Sequence, residues 1–169
     1  MGRLPTLVVV SGPPGAGKTT LAHALAIAVG CPAVCRDEIK EGMVHRVDDY
    51  VPALADELAF RTLETFFEAL RLLLSAGVTT VAEAAFQDRL WRPGLTALLP
   101  LAHVKIIQCY VDGEVARRRM GERSRSAHAD GQWAVRDFQR IALEVPELRV
   151  DTTSGYVPRL EILIDFVNR

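Results

Sequence analysis

Near its N-terminus the chain carries Gly12-Pro13-Pro14-Gly15-Ala16-Gly17-Lys18-Thr19, a run whose types and spacing suit the holding of a polyphosphate. It fills every fixed position of the pattern G-x-x-x-x-G-K-[ST]. The glycines let the backbone wrap so that its N–H groups turn inward toward phosphate oxygens. A helix opening at Lys18 adds free N–H groups and the positive end of its dipole. Lys18 is placed to bridge β- and γ-phosphates. The Thr19 hydroxyl is placed to ligate Mg²⁺, and Thr20 continues the nucleotide contact along the helix. The run therefore predicts ATP and Mg²⁺ as cofactors, with ATP as the default because no segment distinguishes adenine from guanine.

A second group follows at Cys35-Arg36-Asp37-Glu38-Ile39-Lys40. Asp37 falls at the C-terminal end of a predicted strand, where open α/β sheets bind their ligands. There it can accept or orient the proton of an acceptor hydroxyl, or serve only as a helix N-cap. Lys40 lies one turn on, facing a substrate anion, the γ-phosphate or solvent. A third predicted strand ends in Glu83, which can hold a metal-bound water or a substrate hydroxyl, or be only a partly buried carboxylate satisfied by backbone N–H groups. Phe86 either walls the acceptor pocket or packs.

A third group is cationic. Arg117, Arg118, Arg119, Arg123 and Arg125 crowd one short stretch. Arg119 and Arg123 are spaced i, i+4 on one helical face, where like charges repel unless an anion joins them. The expectation is that Arg119 and Arg123 meet phosphates and that Arg117 stacks near the base; the bland alternative is a solvated basic face.

Among chains with such a phosphate loop, a GTPase needs an N-K-x-D signature, which is absent. A ring-forming AAA motor needs an adjacent acidic pair after an apolar strand; Val81-Ala82-Glu83 offers one carboxylate. Small kinases need a carboxylate beside the γ-phosphate and a cationic lid, and both have candidates here.

On Gly12–Thr19 together with Arg36-Asp37-Glu38-Ile39-Lys40, the sequence resembles the P-loop kinases grouped around polynucleotide 5′-hydroxyl kinase, chloramphenicol phosphotransferase and zeta-toxin-like kinases. The resemblance implies a base role for Asp37 and a lid over about residues 117–131 whose arginines close over the phosphates. It also implies that Thr152-Thr153-Ser154-Gly155-Tyr156 helps hold the base. Polynucleotide kinases typically carry Arg one turn after the aspartate, and this chain has Lys40. The implied activity is transfer of the γ-phosphoryl group to a hydroxyl of a small molecule such as a nucleoside, sugar or antibiotic. A polynucleotide 5′-hydroxyl kinase is the rival. An ATP-binding switch without an acceptor is the alternative of another class.

Positioning these groups requires strands alternating with helices along the whole chain, hence a parallel sheet covered on both faces. Leu7–Val10 reads as a central strand. A helix is expected from Lys18 to Val29, stopped by Gly30 and Pro32. A strand over Ala33–Arg36 follows, then a helix capped by Asp37 with Ile39, Met43 and Val47 on one face. Pro52 is expected to open a helix bearing Leu63, Phe66, Phe67, Leu70, Leu73 and Leu74, ended by Gly77. Then come a strand over Val78–Ala82 and a helix over 88–99 interrupted near Pro93. A strand at Val104–Val111 and a helix capped by Asp112 are next. The rest is a helix over 132–143, a strand at Leu148–Asp151 and a closing helix from Pro158 to Val167. The expected fold is α/β: a three-layer P-loop NTPase with a five-stranded parallel sheet, nucleoside-kinase-like with an Arg-rich lid, as one domain over 1–169.

The 169 residues suffice for one cored domain, and 49% hydrophobic content excludes a disordered chain. A net charge of −1 argues against binding nucleic acid by bulk charge, leaving only a local basic groove. No apolar run reaches membrane-spanning length. The three cysteines, Cys31, Cys35 and Cys109, are odd in number and lack zinc-type spacing. Reduced thiols and a cytoplasmic location are expected.

Overall fold

The computed structural model describes residues 3–51, 57–86, 88–122 and 138–169. Its centre is set by the run Leu7-Val8-Val9-Val10, which forms strand β1 (Thr6–Ser11) with no exposed surface along those four residues. A β-branched run buried on both faces is what a central parallel strand requires. Leu7 and Val9 turn to one face and Val8 and Val10 to the other, as a strand's period of two demands.

The remaining elements are α1 (Lys18–Val29), β2 (Ala33–Cys35), α2 (Arg36–Val44), α3 (Glu57–Ser75), β3 (Thr80–Glu83), α4 (Asp88–Thr96), β4 (His103–Tyr110), α5 (Gly113–Gly121), β5 (Glu147–Asp151) and α6 (Leu160–Asn168). The strands make one parallel sheet in the order β2-β3-β1-β4-β5. Leu21, Leu25 and Ala26 of α1 pack with Leu163 and Val167 of α6 on one face. On the other face, Phe66, Leu70 and Leu74 of α3 pack with Trp91 and Leu95 of α4. This is the expected three-layer α/β architecture.

Register aligns the functional edge. Val10 pairs with Glu83, and Glu83 pairs with Cys35. The C-terminal ends of β1, β2 and β3 therefore lie level, and the segments leaving them meet above the sheet.

Local expectations fail where tertiary contacts override the pattern. Asp37 does not cap α2: the helix begins at Arg36, two residues earlier than a cap at Asp37 would place it, Cys35 is the N-cap, and no side-chain cap bond forms. Asp37 instead occupies the first turn. Val47 lies beyond the end of α2, in a turn. Helix α4 runs unbroken through Pro93 and ends at Thr96, after which turns replace the expected last helical residues.

Residues 138–143, expected at the end of a helix, form neither helix nor strand. The Ala142 amide donates to Asp88 Oδ1 at 2.8 Å, and the Asp88 amide donates to the Gln139 carbonyl at 3.4 Å. Ile141 meanwhile enters the core. Those bonds to the start of α4 satisfy backbone groups that a helix would otherwise use. Residues 132–137 of that expected helix, and Pro52, lie outside the described residues.

Candidate active site

The phosphate loop joins β1 to α1 in a conformation that its glycines dictate. Gly15 and Gly17 have φ of 78° and 66°, in the left-handed region. A Cβ on Gly12 would lie 2.6 Å from the Cys109 carbonyl oxygen, and one on Gly15 would lie 2.7 Å from that of Ala116. The loop is thus pressed against β4 and α5, and side chains at those two positions would push it out of its cradle. The Ala16 amide closes a turn on the Pro13 carbonyl at 3.2 Å. Lys18, nearly buried, donates from Nζ to the same carbonyl at 3.0 Å. The loop, α1's N-terminus and the Lys18 ammonium fit a polyphosphate with magnesium. Among the loop residues, the Thr19 hydroxyl is the hard oxygen ligand available to the metal.

Thr19 Oγ1 donates to Glu83 Oε2 at 3.2 Å. Glu83 has 1% of its surface exposed. Burial pushes its carboxyl above the usual range; the Lys18 ammonium opposes this, Asp37 adds to it, and the Thr19 hydrogen bond and Glu38 act more weakly. Lys18, Thr19, Asp37 and Glu83 therefore form one electrostatic cluster at the sheet's C-terminal edge.

Asp37 stands at that edge with its Oδ1 accepting from Arg36 Nη1 at 3.1 Å. Arg36 Nε is buried with no hydrogen-bond partner among the described residues. Lys40 is not a solvated charge: it is 5% exposed, with its ammonium 5.7 Å from the Tyr50 ring centroid. Phe86 has no exposed surface and packs edge-on against Phe66 and Trp91. Of the two roles weighed for it, wall or packing, the structure gives packing.

On the opposite side of the loop a cleft of about 490 Å³ is lined by Gly17, Thr20, Arg119, Thr152 and Tyr156 among others. The segment expected beside a base, residues 152–156, does border it. Arg119 donates to the carbonyls of Gly15 at 3.3 Å, Thr152 at 2.8 Å and Thr153 at 3.3 Å. Its guanidinium thereby ties the phosphate loop to the segment after β5, a role not foreseen. Arg117 is exposed and does not line this cleft. Asp112 caps α5 as expected, accepting from the amides of Glu114 and Val115. Arg123, Arg125 and the remainder of the expected lid through 131 lie outside the described residues.

Sequence reasoning missed two further features. Thr152 Oγ1 donates to the Ala16 carbonyl at 2.9 Å, a second clasp on the loop across 136 residues of chain. His23, Cys35 and Glu38 also converge beside the edge: His23 Nε2 lies 2.7 Å from Glu38 Oε1 and 3.7 Å from Cys35 Sγ. No spacing rule could find that cluster, because its members come from α1, β2 and α2.

A parallel sheet in this order, with a glycine-rich loop after its central strand, Glu83 ending the neighbouring strand β3 and Asp37 in the helical turn that follows β2, defines a P-loop mononucleotide-binding protein. A family model described as an AAA domain (AAA_33) matches residues 7–146, and the chain belongs to that family. No curated protein matches by sequence.

Among solved structures, the chain is similar to a candidate kinase from Chloroflexus aurantiacus, with 24% identity, TM-score 0.85 and 98% of each chain covered. It is similar to a sugar kinase from Janibacter sp. HTCC2649, with 24% identity, TM-score 0.68 and coverage of 96% of this chain and 91% of that one. It is also similar to the APS kinase of Mycobacterium tuberculosis, in complex with AMPPNP and APS, at 14% identity, TM-score 0.69 and coverage of 99% and 100%. The fold is that of P-loop kinases. No helix among the described residues is long and apolar enough to cross a membrane.

Proposed function

We propose that the chain is a phosphotransferase that moves the γ-phosphoryl group of ATP onto a hydroxyl of a small-molecule acceptor. The observation that carries this reading is the single cluster of Lys18, Thr19, Asp37 and Glu83 at the level ends of three strands. Holding a nucleotide and its metal accounts for Glu83; the second carboxylate, Asp37, is what points to an acceptor.

In this reading the acceptor oxygen attacks the γ-phosphorus, the bond to the β–γ bridging oxygen breaks, and ADP leaves. Asp37 takes the hydroxyl proton, held in place by Arg36 Nη1. Lys18 exchanges the Pro13 carbonyl for phosphate oxygens and steadies charge on the transferring group. A bound Mg²⁺ would supply charge neutralisation between the phosphates, with Thr19 as its ligand and Glu83 holding a water of its shell. Arg119 keeps the loop and the cleft wall together, so the nucleotide is oriented before transfer. The small-molecule class is favoured by the net charge of −1 and by Lys40 one turn after Asp37.

The test is label transfer from γ-labelled ATP to two acceptor pools. One holds nucleosides, sugars and hydroxylated antibiotics; the other holds 5′-hydroxyl oligonucleotides. Label in the first pool is expected. Asp37→Asn should lower kcat by roughly 10²–10⁴-fold with ATP affinity nearly unchanged, the scale of general-base loss. Lys18→Ala should abolish transfer with the fold retained, seen as an unchanged circular dichroism spectrum. Label confined to oligonucleotides would reassign the acceptor. ATP binding without label in either pool would replace transfer by a nucleotide-binding switch.

A further inference from the structure

We infer that His23, Cys35 and Glu38 form a binding site for a thiophilic divalent cation of the zinc class. The inference does not rest on the proposed transfer. The three donor atoms all lie within 4.8 Å of one another. Tetrahedral zinc with N, S and O ligands sets neighbouring donors roughly 3.4–3.6 Å apart, from bond lengths of about 2.0–2.3 Å. The sulfur-to-imidazole separation, 3.7 Å, already matches. The imidazole-to-carboxylate separation, 2.7 Å, must open by less than about 1 Å. Rotation of the Glu38 side chain, which is 47% exposed, achieves that without moving backbone.

Depth gives the site its shape. Cys35 is 2% exposed and forms the floor, while the half-exposed His23 and Glu38 form the rim. The fourth tetrahedral position then faces solvent and takes water. The electrostatics also favour a cation. Burial, then the carboxylates of Glu83, Glu38 and Asp37, push the Cys35 thiol well above its ordinary value. Burial opposes any charge there, but the three carboxylates attract a metal ion, and a bound ion in turn releases the thiol proton to solvent.

Donor softness separates this site from the phosphate loop. Thr19 and Glu83 offer only oxygen, which suits magnesium; the thiolate and imidazole select zinc or its softer neighbours. The cation would tie α1, one turn past Thr19, to the end of β2 and the first turn of α2. Among the described residues it is the only set of three or more His, Cys, Asp or Glu groups so arranged.

The experiment titrates the chelator-stripped full chain with Co²⁺ in the absence of nucleotide. It reads the thiolate-to-cobalt charge-transfer absorption in the near ultraviolet and the tetrahedral bands in the visible. One equivalent of cobalt should saturate both, and Zn²⁺ should erase them. His23→Gln, at a half-exposed position, should weaken binding by at least the roughly 10–100-fold that loss of an outer-shell partner costs. Cys35→Ser should remove the charge-transfer band, and Cys31→Ser should leave it intact. No band in the unmodified chain would overturn the inference. So would a band that survives His23→Gln unweakened, or one that depends on Cys31. If Cys35→Ser does not fold, the unmodified chain and His23→Gln decide.

Discussion

Glu83 ends β3 with almost no contact with water, and burial outweighs the help of Lys18 and Thr19, so its carboxyl titrates above the usual range. A carboxyl with a raised native value binds its proton more tightly folded than unfolded. Its contribution to stability is present at low pH and is lost as pH climbs from the ordinary carboxylate range through the raised value. Glu83→Gln removes that titration while keeping an acceptor for the Thr19 hydroxyl. Urea melts across this pH range should show stability falling with pH in the unmodified chain and a shallower fall in Glu83→Gln. The variant should also be the more stable of the two on the alkaline side. An identical slope in both would mean that another group carries the pH dependence. The residues of the phosphate loop were legible in sequence because they are contiguous and each position has its own steric or charge requirement. Glu83 was legible from its place at a strand end. The clasps by Thr152 and Arg119 were not, because each depends on a carbonyl that only the folded chain brings near.

Elements were legible where one helix or strand could settle its own ends. Helix α1 begins at Lys18 and stops at Gly30 in the left-handed region, as its pattern requires. Residues 138–143 were illegible because Asp88 engages the Ala142 amide and the Gln139 carbonyl, contacts that only the folded chain supplies. The α3–α4 contact shows packing reversing a local preference. Gly94 lies inside α4, where alanine is ordinarily better by about 0.5–1 kcal/mol. Here a Cβ would stand 2.3 Å from the Phe67 ring. That ring is wedged against Phe66 and Trp91, with centroids 5.5 and 5.7 Å away, so it cannot swing aside without disturbing the cluster. Overpacking of this kind costs about 1–3 kcal/mol. Gly94→Ala should therefore destabilise the chain by about 1–2 kcal/mol in urea melts. Joined to Phe67→Leu, the same change should cost far less. A stabilising Gly94→Ala would show that α3 and α4 yield easily and that propensity prevails.

At the scale of the whole molecule, the phosphate loop is a meeting point for distant parts of the chain. Gly12 is seated against Cys109 of β4, Gly15 against α5, and Ala16 and Gly15 are tied to Thr152 and Arg119. A ligand held by the loop and the adjoining cleft would gain contacts that only the complete fold offers. It should therefore bind the native state and not the unfolded one. Mass action then sets the stabilisation at about 2.7 kcal/mol when ligand is at 100 times its Kd. For a chain of 169 residues each kcal/mol raises Tm by roughly 2–4 °C, so a rise of about 5–11 °C is expected with ATP and Mg²⁺. Lys18→Ala should lose most of that rise while keeping a similar Tm without ligand. Asp37→Asn should retain it, because that side chain addresses the acceptor and not the nucleotide. Thermal melts of the three proteins with and without nucleotide separate binding from transfer. A full rise in Lys18→Ala would remove the loop from the binding site, and a loss in Asp37→Asn would move Asp37 from the acceptor side to the nucleotide side.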